Sequence, residues 1–319
     1  MKKVVITYTI PGPAIEMLKK HFDVTVNPSD KPFSKDDYKK YCAGAFGILS
    51  MLYDAVDKET IDACGPDLRI IANYAVGYNN IDTEYARSKN IAVTNTPDAL
   101  TNSTAEIAFA LMISVMRRIA EGDRFTRAGK FIGWRPGLLV GEELAGKTAG
   151  ILGMGRIGQS FAAKCAAFGM KIIYHNRNRL PSEIEKNYDA EYVTFERLVA
   201  ESDVVSIHSP LTPETKHLFT ASTFARMKDG AYIINTGRGP VIKEDDLAEA
   251  LISGKVAGAG LDVYEFEPTI CEKLMTLENV VLLPHIGSGS SYARNLMSKM
   301  AAESIIDCAL GKTIPRRVV

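Results

Sequence analysis

Arg238, Glu267 and His285 are residues whose types and placement could do chemistry together. Each follows a short apolar, β-like run, in Ile234-Asn-Thr-Gly-Arg238-Gly, Leu261-Asp262-Val-Tyr-Glu-Phe-Glu267-Pro and Leu283-Pro-His285-Ile-Gly-Ser. Open parallel sheets bind ligands at the C-terminal ends of their strands. An arginine there can fork onto a carboxylate and polarise the neighbouring carbonyl. A histidine can supply the proton that must accompany a hydride. A glutamate against the ring orients it and favours its protonated form. The set suits the handling of a 2-oxo acid. Each residue alone has a plainer reading: a structural histidine at a strand end, a solvated turn arginine, a glutamate opening a loop. Falling in series on three strand tips, they support one another. His208-Ser209-Pro210 follows another strand and is placed along a cofactor pocket, whereas His21, His175 and His217 lack such a setting.

These tips require a sheet and a hydride donor, and the stretch from Gly146 to Arg179 signals both. Thr148 to Leu152 reads as a buried strand leading into Gly153-Met-Gly155-Arg156-Ile157-Gly158. In a G-x-G-x-x-G after a strand, the first glycine allows the tight turn and the second lets the backbone approach a pyrophosphate. The third packs helix on strand. A helical pattern follows, with Ile157, Phe161, Ala162 and Cys165 on one face, and its first N–H groups would hold the phosphates. Met170 to Tyr174 is a second buried strand. An NAD site usually carries an acid at that strand's tip, on the ribose 2′-OH. Here the tip reads His175-Asn176-Arg177-Asn178-Arg179. With Asn176 in place of the acid, Arg177 and Arg179 could grip a 2′-phosphate, so NADP(H) is preferred and NAD(H) remains possible. A basic surface turn is the plainer alternative.

Lysine plus arginine equals aspartate plus glutamate at 38 each, which leaves no field to attract nucleic acid or an anionic membrane. A length of 319 residues is comfortable for two cores. The five cysteines are scattered and form no C-x-x-C, which fits a reduced cytoplasm and argues against disulfides or zinc. No metal site is expected. The start, MKKVVITYTIPGP, reads as a first strand and not as a signal peptide, its apolar run being cut by Pro11. The apolar helix near Ala105 to Met116 contains Glu106, ends at Arg117-Arg118 and is too short to span a bilayer.

Strand and helix signals alternate throughout, which implies parallel sheets covered on both faces. Strands are predicted at 4–7, 24–26, 46–49, 70–73 and 92–94, then at 148–152, 170–174, 191–193, 203–207, 231–235, 257–263 and 280–283. Helices are predicted near 13–20, 34–42, 57–63 and 83–89, then at 156–167, 194–201, 220–227, 244–253 and 290–310. Ser34 and Asp57 are expected N-caps. Ser103-Thr-Ala-Glu106 reads as a capping box that opens a long connecting helix. Residues 129–146 read as loop.

Along nearly its whole length the chain resembles the D-isomer-specific 2-hydroxyacid dehydrogenases. The matching landmarks are Ala75-Val76-Gly77-Tyr-Asn-Asn80-Ile-Asp82, Asn95-Thr-Pro97, Ser103-Thr-Ala-Glu106, the glycine motif, His208-Ser-Pro-Leu-Thr212, Asn235-Thr-Gly-Arg238-Gly, Leu261 to Pro268 and Pro284-His285-Ile-Gly-Ser288. The resemblance implies two doubly wound α/β domains with a cleft between them. A Rossmann nucleotide domain would span 99–286, and a flavodoxin-like substrate domain 1–98 with 287–319. It makes Arg238, Glu267 and His285 the catalytic triad. Thr104, Gly153, Gly155, Arg156, Ile157, Gly158, Asn176, Arg177, Arg179, His208, Ser209, Pro210, Thr236, Gly237, Asp262 and Gly287 would form the cofactor site, with Asp262 on the nicotinamide amide. Val76 and Gly77 N–H groups would take the substrate carboxylate, beside Leu52 and Tyr53. Leu49 to Asp57 and Trp134 to Gly141 are most similar to glyoxylate and hydroxypyruvate reductases, homodimers in which the tryptophan reaches the partner's substrate site. Two departures stand out: Gly237 replaces the usual alanine, and Tyr53 replaces a threonine and could reshape the substrate pocket.

The expectation is thus an NAD(P)H-dependent reductase of a small 2-oxo acid, cytoplasmic and dimeric. A dinucleotide-sensing corepressor on the same fold is the competing expectation.

Overall fold

The first strands are mostly unbroken apolar runs, as sheets covered on both faces require. They are β1 (Lys3–Ile6), β2 (Asp23–Val26), β3 (Ala45–Ser50), β4 (Ile70–Asn73) and β5 (Ala92–Thr94). In the computed structural model, which describes residues 1–29 and 31–319, these strands form a parallel sheet in the order β2-β1-β3-β4-β5. All of β3 is buried. Val5, Ile48 and Ile71 lose all their accessible surface; each such burial is worth about 1.5–3 kcal/mol. Ser34 closes a capping box with Asp37, and Asp57 accepts from Thr60 N at 2.9 Å, so both expected caps are present.

The last helix, Ser291–Ala309, packs on β4 and on the helix Ala14–Lys19. The Tyr74 hydroxyl donates to Arg294 O at 2.8 Å, and Ala14 N donates to Ser298 Oγ at 3.0 Å. The C-terminal tail then returns to β5, where Val318 N donates to Val93 O at 2.7 Å. Met1–Leu100 with Gly289–Val319 therefore makes one compact unit, and Thr101–Ser288 makes the other.

The second unit is built on β6 (Thr148–Leu152), β7 (Lys171–His175), β8 (Ala190–Tyr192), β9 (Val204–Ile207), β10 (Ala231–Asn235), β11 (Val256–Leu261) and β12 (Val280–Leu282). Their order is β12-β11-β10-β9-β6-β7-β8, all parallel, so the winding reverses between β6 and β9. Such a reversal opens a crevice at the C-terminal strand ends, the usual dinucleotide position.

One local expectation fails. The connecting helix begins at Thr101, which leaves Ser103 inside it, and the Ser103 hydroxyl donates to Gly287 O at 2.9 Å instead of capping. The helix ends at Met116, where the sequence placed its end before Arg117-Arg118. Arg118 takes φ 55 and forks onto Glu121, and a separate helix runs from Ile119 to Arg127. Among the described residues no helix is long and apolar enough to cross a membrane.

Candidate active site

The glycine turn shows what each of its residues is for. Gly153 has φ 92, and a Cβ there would lie 2.6 Å from Ser209 N. A Cβ at Gly158 would lie 2.5 Å from Gly153 O, so helix and strand meet too closely for a side chain. At Gly155 a Cβ would meet nothing within 4 Å, so nothing among the described residues requires glycine there. Gly155 also begins the helix Arg156–Ala167 with no side-chain cap, which exposes the N–H end carried by Arg156, Ile157 and Gly158. Nearby, the buried Ser209 hydroxyl has no hydrogen-bond partner among the described residues. Open space at one glycine, an uncapped helix start and an orphaned hydroxyl fit a phosphate-bearing ligand.

The surrounding residues hold this turn in place. Asn176 Oδ1 accepts from Met154 N at 2.6 Å, so Asn176 ties the β7 tip to the turn. Arg177 is exposed, while Arg179 forks onto Glu185 at 2.8 Å through both Nε and Nη2. His208 pairs through Nε2 with Ser206 Oγ at 2.9 Å and through Nδ1 with Thr236 Oγ1 at 3.4 Å. Burial pushes its pKa down to about 3, so the ring is neutral near pH 7. Pro210 is exposed beside it, and Gly237 N donates to Asn235 Oδ1 at 3.0 Å. A Cβ on Gly237 would lie 3.0 Å from Ser209 O, and one on Gly287 would meet Asp262 Oδ2 at 3.1 Å and Thr104 Cγ2 at 3.2 Å.

The three strand-tip side chains converge. His285 Nδ1 lies 2.8 Å from Glu267 Oε2, and Glu267 Oε1 accepts from Tyr264 N at 2.9 Å. Burial pushes the Glu267 carboxyl up, but the His285 hydrogen bond and charge, the Tyr264 N–H and the Arg238 charge together leave it below the ordinary range. Glu267 is therefore an ionised acceptor. It must receive a proton from Nδ1, which leaves Nε2 as the outward nitrogen. Arg238 Nη1 donates to Gly237 O at 2.7 Å; burial lowers its pKa and the Glu267 charge opposes that. His285 sits at φ 54 in a turn pinned by Asp262, whose oxygens accept from Ile286 N and Gly287 N at 2.7 Å each. Burial outweighs these two donors and raises the Asp262 carboxyl.

Other residues of this site are not apparent in the sequence. Glu244 Oε1 accepts from Glu265 N at 2.6 Å, and Glu265 Oε2 accepts from Glu244 N at 3.0 Å. His217 Nε2 lies 2.6 Å from Glu265 Oε1, and Glu244 Oε2 also accepts from Cys271 N at 2.9 Å. This reciprocal clamp fixes the loop that carries Glu267. Its only sequence signal is an acidic helix start at 244–246, which looks like routine dipole compensation.

In the first unit, Asn73 Nδ2 holds Gly77 O at 2.8 Å and Asn95 Nδ2 holds Val76 O at 2.8 Å. Asn80 Nδ2 holds Met51 O at 3.0 Å and Asp54 O at 3.1 Å, beside Leu52 and Tyr53. The Tyr53 ring stands edge-on to Tyr8 at 6.2 Å. In the second unit, Trp134 is 82% exposed, in a segment where Phe131, Ile132 and Val140 are exposed too.

A parallel sheet with an uncapped glycine turn at its switch point, next to an arginine, glutamate and histidine set, fits a nucleotide-dependent oxidoreductase. The chain belongs to the D-isomer specific 2-hydroxyacid dehydrogenase family, residues 109–287 matching that family's NAD binding domain. It is 45% identical over 320 residues to the glyoxylate reductase of Thermococcus litoralis, covering 99% of this chain and 96% of the relative. The crystal structure of a Thermus thermophilus protein superposes with TM-score 0.94 at 39% identity, covering 99% of this chain and 100% of that one. An NADPH-dependent glyoxylate/hydroxypyruvate reductase of Sinorhizobium meliloti, solved with NADP and malonate, gives TM-score 0.86 at 29% identity, covering 100% and 97%. The family acts on small 2-hydroxy and 2-oxo acids.

Proposed function

We propose that this protein reduces glyoxylate or hydroxypyruvate to the D-2-hydroxy acid, with NADPH as the preferred donor. The observation that carries this reading is the 2.8 Å contact between an ionised Glu267 and His285 Nδ1, with Arg238 close enough for its charge to act on Glu267. The names of the Thermococcus and Sinorhizobium relatives support the substrate class. The dinucleotide-sensing corepressor is not favoured, since the relatives above are named for enzymes.

In this reading Val76 and Gly77 N–H groups bind the substrate carboxylate, with Leu52 and Tyr53 bounding it, so the first unit is the substrate domain. Arg238 forks onto the substrate and stabilises the negative charge that grows on the carbonyl oxygen. Gly153, Gly155 and the first turn of the following helix hold the pyrophosphate, and Thr104, His208, Ser209, Pro210, Thr236, Gly237, Asp262 and Gly287 line the rest of the dinucleotide. The bound nicotinamide supplies the hydride. His285 donates a proton from Nε2 while Glu267 steadies the imidazolium through Nδ1. A steady-state assay of NADPH with glyoxylate, hydroxypyruvate and bulkier 2-oxo acids tests the proposal; no turnover of any small 2-oxo acid would end it.

The NADPH preference has its own measurement. With no acid at the β7 tip and Arg177 exposed there, NADPH is expected to exceed NADH in kcat/KM by roughly ten- to a hundredfold, the worth of a charge-assisted phosphate contact of about 1.5–3 kcal/mol. Equal or NADH-favouring values would remove it.

Trp134 is assigned to a homodimer, in which it closes the partner's substrate site. Trp134→Ala is expected to raise substrate KM about tenfold or more and to weaken dimerisation on dilution, as loss of a buried aromatic anchor does. Unchanged KM together with unchanged oligomeric state would cancel this role.

A further inference from the structure

Arg179 is already committed within the chain. Its Nε and Nη2 donate to the two oxygens of Glu185, each at 2.8 Å. Glu185 Oε1 accepts in addition from the Tyr174 hydroxyl at 2.6 Å, and that hydroxyl accepts from Leu180 N at 2.9 Å. Glu185 comes from the helix Ser182–Tyr188 and is 8% exposed, so the carboxylate is built into the fold although its arginine is largely exposed. The Arg179 hydrogen bonds, followed by the Tyr174 hydroxyl, hold the Glu185 carboxyl well below its ordinary range.

A guanidinium that already forks onto a carboxylate lacks that edge for a phosphate, and its charge is neutralised on the spot. A 2′-phosphate approaching Arg179 would also meet the negative charge of Glu185. Arg177 differs: it is exposed at the strand tip, and the carboxylate that feels its charge, Glu214, is itself exposed. We propose that Glu185 limits the NADPH preference by withholding Arg179 from the 2′-phosphate, which leaves Arg177 to read that group. This rests on the reading of the β7 tip as the 2′-phosphate site. Glu185 thereby becomes a determinant of cofactor selectivity.

Calorimetric titration of the full-length protein with NADP⁺, NAD⁺ and adenosine 2′,5′-bisphosphate tests it without turnover. Arg177→Ala is expected to weaken NADP⁺ and the bisphosphate by about ten- to a hundredfold, with NAD⁺ changed by less than about threefold. Arg179→Ala is expected to move all three by less than about threefold. Glu185→Gln, which keeps the shape and removes the charge, is expected to tighten NADP⁺ and the bisphosphate by about five- to tenfold, and adding Arg179→Ala to it should erase that gain. A loss of about tenfold or more in NADP⁺ affinity from Arg179→Ala alone overturns the proposal. So does unchanged NADP⁺ affinity in a Glu185→Gln protein that melts like the wild type. If Glu185→Gln does not fold, Arg179→Ala still decides, because it alters an exposed side chain. The wild-type ratio of NADP⁺ to NAD⁺ affinity bears only on the NADPH preference: a wild type that favours NAD⁺ defeats that reading, while a gain in Glu185→Gln would still carry the role of Glu185.

Discussion

Replacing His285 with Ala is expected to lower kcat for reduction by roughly two to four orders of magnitude, the usual contribution of a placed general acid. Cofactor affinity should hold, because the glycine turn, Ser209 and the start of the Arg156–Ala167 helix are untouched. His285 has φ 54, a left-handed conformation that Ala adopts poorly and Asn tolerates, so His285→Asn controls for backbone strain. Equal losses in both variants would identify the missing proton donor as the cause; near-normal kcat in either removes the histidine from the mechanism. The pH profile carries the same argument. With Nδ1 bound to an ionised Glu267, the remaining proton of a neutral ring stays on Nδ1 and Nε2 has none to give. The rate of reduction should therefore fall as pH rises. Glu267→Gln removes the carboxylate that holds Nδ1, so kcat for reduction should fall by about tenfold or more. An unchanged kcat in Glu267→Gln would break the proposed pairing.

Replacing Arg238 with Gln is expected to cost about 10²- to 10³-fold in kcat/KM, the range seen when a donor to a developing oxyanion is lost. Substrate KM should rise as well, since the same guanidinium is assigned to the substrate. Arg238→Lys should recover only part of the loss, because an ammonium keeps the charge but not the planar fork. A second readout follows from the charge network. The Arg238 charge helps hold the Glu267 carboxyl below its ordinary range, so Arg238→Gln should move the acid limb of the profile upward. If kcat/KM stayed within about tenfold of wild type, the oxyanion role would be lost.

Much of this was legible without coordinates because it is encoded locally. β1, β3 and β6 are short apolar runs bounded by turn residues, and a strand covered on both faces has to look like that. The caps at Ser34 and Asp57 depend on side chains within three residues of the helix start. The failure at Ser103 has a tertiary cause. Ser103 has the spacing of a capping box, yet its hydroxyl found the Gly287 carbonyl, a partner far away in sequence. Arg117-Arg118 does end the apolar helix as read, and the left-handed Arg118, forked onto Glu121, then leads into the separate helix Ile119–Arg127.

The sequence by itself determined which residues have the chemistry: the glycine spacing, the missing acid at Asn176, and an arginine, glutamate and histidine on successive strand tips. Backbone stereochemistry and strand-end position are properties of a few neighbouring residues, so they survive in a one-dimensional reading. Only the tertiary structure decided how those charges are paired. Arg177 and Arg179 look equivalent in sequence, and only the fold sets the Glu185 carboxylate 2.8 Å from one of them. Glu265 reads as a loop residue until Glu244 and His217 are found around it. Hydrogen bonds and close ion pairs act over about 3 Å, and a long side chain can be placed that finely only by the packing of the whole sheet and its helices.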